Sequence, residues 1–217
     1  MSRRRIFQLF VVLSTLAILG GLLLSLALPR IFPSKAPEED LGGRFPNLAS
    51  RPTGGDFVLH SADGPVALSD YRGKVVLLYF GYAYCPDICP TSLAVLAQTF
   101  NDLPSPARNK VQGIFISVDP GRDTPAYLKE YVSFFHPLLV GVTGSTEEIA
   151  AVAQRYGVIY RIHPHDAEDR YVVDHSSLIY LIAPDGHLAT ALPYGVSAEE
   201  IHTALQPFLE KTGQKAS

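Results

Sequence analysis

The sequence predicts an α/β fold, a sandwich of central strands flanked by helices, preceded by a single N-terminal transmembrane helix. Three observations carry that prediction. Apolar runs such as "KVVLLYFGY" and "VQGIFISVD" read as strands buried on both faces. They alternate with stretches of helical spacing and short turn signals. Arg3, Arg4 and Arg5 precede an uncharged run from Ile6 to Leu28, 23 residues in all, enough for a helix to cross ~30 Å of hydrocarbon.

The elements follow in order. Residues 1–28 form the basic flank and anchor. Ser25 and Ala27 resemble a small-x-small cleavage site, and "SRRRIF" resembles a twin-arginine export signal. The length of the apolar run favours an uncleaved anchor, and a plain positive flank explains the arginines equally well. The arginines stay cytoplasmic and send everything after Pro29 across the membrane. Residues 29–55, with five prolines, four glycines and the acidic run Glu38–Asp40, read as a tether reaching on the order of 80 Å at ~3 Å per residue.

The globular domain is expected over 56–211. "DFVLHSADGPVALSDYRG" reads as a hairpin around Asp63-Gly64. The strand "KVVLLYFGY" follows, then a helix with Leu93, Leu96, Ala97 and Phe100 on one face. "VQGIFISVD" leads to the helix "TPAYLKEYVSFF", with Thr124 as N-cap and Pro125 at its first position. "LLVGVTG" is a strand. "STEEIAAVAQRYG" is a helix with a capping box and Gly157 as its stop. "VIYRI" extends it as a strand before a polar loop, 163–170. "SSLIYLIAPDGHLATAL" is a second hairpin turning at Asp185-Gly186, and "SAEEIHTALQPFLEK" closes the domain as a helix.

Charge excludes one class of partner. Four of the 18 Lys and Arg are arginines within residues 1–30, which hold no acid; the remainder carries 14 basic against 21 acidic residues, a net −7. Such a domain has no attraction for nucleic acid or an anionic bilayer. It would sit in an oxidising compartment, where disulfides persist.

Both cysteines, Cys85 and Cys89, fall in "YFGYAYCPDICPTSL", where a buried strand gives way to a helix. Ligands and chemistry gather at such crossings in open α/β folds. The i, i+4 spacing brings both sulfurs to one face of a first helical turn, whose N-terminus favours thiolate. Redox pairs of this type are usually Cys-x-x-Cys; the added residue leaves room for an ion without forbidding a disulfide. A structural disulfide, a redox couple and two soft-metal ligands therefore stay open.

A third ligand must come from seven histidines. His60 and His187 sit by turns, His202 faces out of the last helix, and His136 ends another helix before Pro137. His163 and His165 lie in the charged loop. His175, in "VVDHSSLIYLI", stands at the mouth of an apolar strand beside Asp174. Alone it reads as a hydrogen-bonded structural histidine; the cysteines make it a candidate ligand. Asp174 is either an acceptor that orients the ring or a cap of the turn. Asp119 and Asp123 have helix-start placement and read first as capping residues and second as functional ones. Tyr79, Tyr82 and Tyr84 read first as strand surface and second as a lining for the site.

"GYAYCPDICPTSL", "SVDPGRDTPAYL" and "VDHSSLIYLIAPDG" resemble, in order and spacing, three signatures of the Sco/SenC copper proteins. The resemblance covers roughly residues 50–210 and extends to the single N-terminal anchor. It implies a thioredoxin-like three-layer sandwich with added hairpins and a copper site made by Cys85, Cys89 and His175, one copper per chain. It also implies delivery of copper to the binuclear centre of cytochrome c oxidase, with subunit II or another copper-accepting protein as partner. Ala83 departs from the threonine that relatives often carry, and Tyr84 stands at a position that varies among them; neither is a ligand.

Coordination chemistry agrees with that implication. Two thiolates and an imidazole suit Cu(I) and give Cu(II) a thiolate-rich environment, whereas zinc in a closed structural site prefers a fourth protein ligand. The leading expectation is a membrane-tethered copper metallochaperone in the cytoplasmic membrane, its domain in the periplasm. The alternative is a thiol–disulfide oxidoreductase with Cys85 attacking first. A module with an inert disulfide ranks third. A peroxidase ranks last, because Leu78 and Tyr82 before Cys85, and Tyr82 and Pro86 before Cys89, break the Pro-x-x-x-Thr-x-x-Cys pattern.

Overall fold

In the computed structural model, residues 52–163 and 171–211 are described. The expected anchor, nearly all of the tether, His165 and most of the polar loop lie outside them. Among the described residues, no helix is long and apolar enough to cross a membrane.

The chain enters through the hairpin β1 (Val58–Ser61) and β2 (Gly64–Ala67). Its turn falls on Ala62 and Asp63, one residue earlier than Asp63-Gly64, and Gly64 follows at φ +123°, a conformation that costs a glycine nothing. His60 exchanges backbone hydrogen bonds with Thr143 at 2.8 and 3.0 Å, joining the hairpin to the end of β5 (Leu139–Val142).

Beyond it run β3 (Val75–Gly81), α1 (Ile88–Asp102), a short helical turn at Ser105–Arg108, β4 (Val111–Ser117), α2 (Pro125–Ser133), β5 and α3 (Thr146–Tyr156). Then come β6 (Tyr160–His163), β7 (Val172–His175), β8 (Ile179–Ile182), β9 (Leu188–Leu192) and α4 (Ala198–Lys211). The five-stranded sheet has the order β5-β4-β3-β8-β9. β3, β4 and β5 are parallel; β8 runs antiparallel to β3, and β9 antiparallel to β8.

Strand alternation divides the core into two layers. From β3, Val75, Leu77 and Tyr79 face α1, α2 and α4, meeting Leu93, Leu96, Phe100, Leu128, Ile201 and Leu205. Val76, Leu78 and Phe80 face α3 and the first hairpin, meeting Ile149, Tyr156, Phe57 and Leu59. Every residue of β3 and β4 is buried, which is why both read as unbroken apolar runs. The result is a thioredoxin-like three-layer sandwich with added hairpins.

Local signals set the helix ends. Thr124 accepts from the Tyr127 N–H, Ser145 and Glu148 close a reciprocal capping box, and Gly157 stops α3 at φ +65°. The second hairpin turns at Asp185-Gly186, with Gly186 at φ +93°. One strand was not expected from the sequence: β7 pairs with β6 in a two-stranded sheet of its own, His175 opposite Tyr160.

Candidate metal centre

β3 ends at Gly81, and the chain crosses through Tyr82–Asp87 before α1 begins at Ile88. Cys85 lies in this crossing and Cys89 in the first turn of α1, so the two sulfurs do not share a helical face. They converge because the loop folds back, with the Cys85 N–H bonded to the Tyr82 carbonyl at 3.2 Å. Gly81 makes room: a Cβ there would stand 2.6 Å from the Cys89 sulfur. Cys89 is fully buried and Cys85 partly exposed, and both are free cysteines.

β7 brings in the third donor. Alternation sends Val173 into the core and His175 toward the cysteines, while Val172 and Asp174 point out. His175 Nε2 lies 3.2 Å from the Cys89 sulfur. One ligand atom from each of Cys85, Cys89 and His175 falls within 4.8 Å of the others. A cleft of about 300 Å³ opens in front, lined by Tyr82, Cys85, Ile88, Val172 and His175 among others.

Protons are distributed unequally over this cluster. The Cys89 thiol donates to the Cys85 sulfur, and the N–H groups of Asp87 and Cys89 point at it too. Together they outweigh burial and push Cys85 down to about 4. Cys89 moves the opposite way, raised by keeping the shared proton and by burial. The metal-free pair is therefore one thiolate and one thiol. His175 Nδ1 lies 3.1 Å from the Ser176 carbonyl. A carbonyl only accepts, so Nδ1 donates to it, and Nε2 is the ring nitrogen turned to the sulfurs. Two sulfurs and an imidazole nitrogen, with one open side, form a donor set for a soft or borderline metal.

The surroundings correct several sequence readings. Ser176, rather than Asp174, orients the ring; Asp174 points away and meets His163 Nε2 at 2.6 Å. Asp119 and Asp123 are fully buried and cap no helix, since Thr124 takes that place. Asp123 accepts from the Ala83 N–H at 2.8 Å and the Ser117 hydroxyl at 2.5 Å, pinning the cysteine loop to the end of β4. Burial raises its pKa against those bonds. Asp119 accepts from the Tyr171 hydroxyl and Arg122 Nε at 2.5 and 2.6 Å.

The tyrosines divide three ways. Tyr79 is buried, its hydroxyl 3.9 Å from the Cys89 sulfur. Tyr82 lies edge-on to the His175 ring at 5.9 Å. Tyr84 is exposed, beside Tyr127 at 5.5 Å. The other described histidines stay away from the centre. His60 and His187 neighbour Glu148 and Asp185. His136 Nδ1 accepts from the Leu138 N–H. His202 packs inward against the Thr99 carbonyl instead of facing out. Sequence reasoning passed over Arg122, which stands between the loop and β7.

Comparisons with known proteins point to one family. The family model described as SCO1/SenC matches residues 46–210. The mitochondrial SCO2 homologue of Bos taurus is 48% identical over 149 residues, covering 68% of this chain and 56% of that protein. The chain thus spans little more than half the length of the mammalian relatives it matches. A SCO2-like protein of Rickettsia conorii is 38% identical over 83% of this chain and 86% of its own. The structure of Bradyrhizobium japonicum ScoI with copper bound is similar with a TM-score of 0.66 at 39% identity, over 72% of this chain and 99% of that one.

Proposed function

The chain belongs to the SCO1/SenC family, and from that premise we propose that it is a membrane-anchored copper metallochaperone. It carries one copper ion on Cys85, Cys89 and His175 and passes it to the binuclear centre of cytochrome c oxidase, through subunit II or another copper-accepting protein. Residues 1–28 anchor it in the cytoplasmic membrane, 29–55 are the tether, and 56–211 work in the periplasm.

One observation carries this reading: two sulfurs and an imidazole nitrogen lie within 4.8 Å of one another at a cleft. Loading requires reduced sulfurs and releases the proton held on Cys89. Unloading begins at Cys85, because Cys89 is closed off by Gly81, Tyr79 and the core. A soft donor of the acceptor enters the cleft and exchanges first with the accessible sulfur. The copper carried by the Bradyrhizobium relative supports the choice of cargo.

The test is copper titration of the reduced full chain in detergent, read through sulfur-to-Cu(II) charge-transfer absorption. One copper per chain is expected. Its bands change in His175→Ala and vanish when both cysteines are replaced. Uptake indifferent to the cysteines would sink the proposal.

The low pKa of Cys85 favours a second reading, a thiol–disulfide oxidoreductase acting on the oxidase or on other extracytoplasmic proteins. That activity needs no imidazole ligand. Reduction of a disulfide substrate that survives His175→Ala would establish it.

A further inference from the structure

The three donors are not anchored alike. Cys85 and Cys89 stand where β3 enters α1, beside the central sheet. His175 ends β7, whose strand pairing is with β6, in a sheet separate from the five-stranded one. Two modest ties draw β7 inward: Val173 enters the core, and its N–H meets the Tyr82 hydroxyl.

A third tie is a buried arginine. The Arg122 side chain is 14% exposed, and that of its partner Asp119 is 1% exposed. Nε donates to Asp119 Oδ2 at 2.6 Å, and Nη1 donates to the Tyr171 carbonyl at 2.9 Å, directly before β7. The guanidinium carbon lies 3.6 Å from the centre of the Tyr171 ring. The Tyr171 hydroxyl donates to Asp119 Oδ1 at 2.5 Å and closes the circuit. On its other side the same guanidinium faces Tyr84 at 5.1 Å and Tyr82 at 5.6 Å, both in the cysteine loop.

We propose that Arg122 is a positioning residue for the metal centre: it clamps the His175-bearing hairpin against the cysteine loop. It thereby decides whether an ion on the two sulfurs also receives the imidazole. The inference rests on the assignment of Cys85, Cys89 and His175 as ligands. Only a planar guanidinium stacks on one ring, bonds a carboxylate through Nε and reaches a carbonyl with Nη1 at once; a lysine keeps the charge and loses that fork. Groups that orient a metal ligand typically govern about 10–100-fold in affinity.

The experiment uses the full chain in detergent, reduced and then loaded with one Cu(II), in wild type, Arg122→Lys, His175→Ala and the double variant. Pulsed electron paramagnetic resonance reads nitrogen hyperfine coupling from an imidazole, and competition with a chelator reads affinity. Wild type shows the coupling and His175→Ala lacks it. Arg122→Lys still takes up one copper, but its nitrogen signal falls at least about twofold and its affinity about tenfold. The double variant binds no more weakly than His175→Ala, because the clamp acts only through the imidazole. Tyr171→Phe, which removes a single hydroxyl, shows the same changes in smaller measure and carries the test if Arg122→Lys does not fold. Wild-type nitrogen coupling and affinity in Arg122→Lys, or in Tyr171→Phe where that variant carries the test, would overturn the inference. A further loss of affinity in the double variant beyond His175→Ala would do the same. Absence of nitrogen coupling from wild type would instead remove His175 as a ligand, and the clamp's role with it.

Discussion

At the scale of single residues, the two cysteines differ because one proton serves both. Cys85 sits in the crossing loop, where Cys89 and two backbone N–H groups point at its sulfur, and is pushed down to about 4. Cys89 keeps the proton in an apolar setting. A group with a depressed pKa is charged above that value and loses its charge as pH falls through it. Alkylation of the reduced, metal-free chain by iodoacetamide is therefore expected at Cys85 first. Its rate should stay nearly flat between about pH 6 and 8 and drop only toward about pH 4, whereas an ordinary thiol of pKa about 8.5 gains about tenfold per unit over that range. Peptide mapping at each pH would decide it; a tenfold rise per unit at Cys85 would contradict the shared-proton arrangement.

At the scale of elements, the cysteine loop has no ladder of its own and borrows rigidity from β4 through Asp123. Replacing Asp123 with alanine strands the Ala83 N–H and the Ser117 hydroxyl in the interior. At about 1–3 kcal/mol for each buried group left unpaired, a loss of about 2–6 kcal/mol is expected in urea denaturation. Copper affinity should fall with it, because the loop no longer holds Cys85 toward Cys89. A stable variant with unchanged affinity would show that the loop is held by other contacts. The same residues mark what the sequence could disclose. Thr124, the Ser145–Glu148 box and Gly157 announce their helix ends because capping is written within four residues. Cysteine and histidine declare their chemistry by type, so the candidate site's members were legible, but their grouping as ligands came from the resemblance of three motifs to a known family. Asp119 and Asp123 misled, since a carboxylate near a helix start looks like a cap, while their partners Tyr171 and Ala83 lie 52 and 40 positions away. β7 was hidden by its brevity, four residues whose inward pair is a valine and a histidine. Arg122 stands three residues after Asp119, but nothing local announces its bond to Tyr171, 49 positions on.

At the scale of the whole domain, the proposed copper ion joins parts that folding joins only lightly. Cys89 belongs to the layer built by α1, α2 and α4, whereas β7 hangs its Val173 on the opposite layer. An ion held by both sides stabilises the native state without stabilising the unfolded chain to the same degree, and linkage gives the size of the effect. With free Cu(I) buffered about 1,000-fold above the dissociation constant, the gain is about 4 kcal/mol. A domain of this length gains about 2–4 °C in Tm per kcal/mol, so a rise of about 8–16 °C is expected by calorimetry of the reduced full chain. Amide exchange over Val172–His175 should slow more than exchange over β3, which is already locked within the sheet. In His175→Ala, at the same free copper, the gain shrinks because affinity is lower, and the protection of β7 disappears. If that variant kept both the full rise in Tm and the slowed exchange, copper would be held by the cysteines alone. The hairpin would then have no part in carrying it.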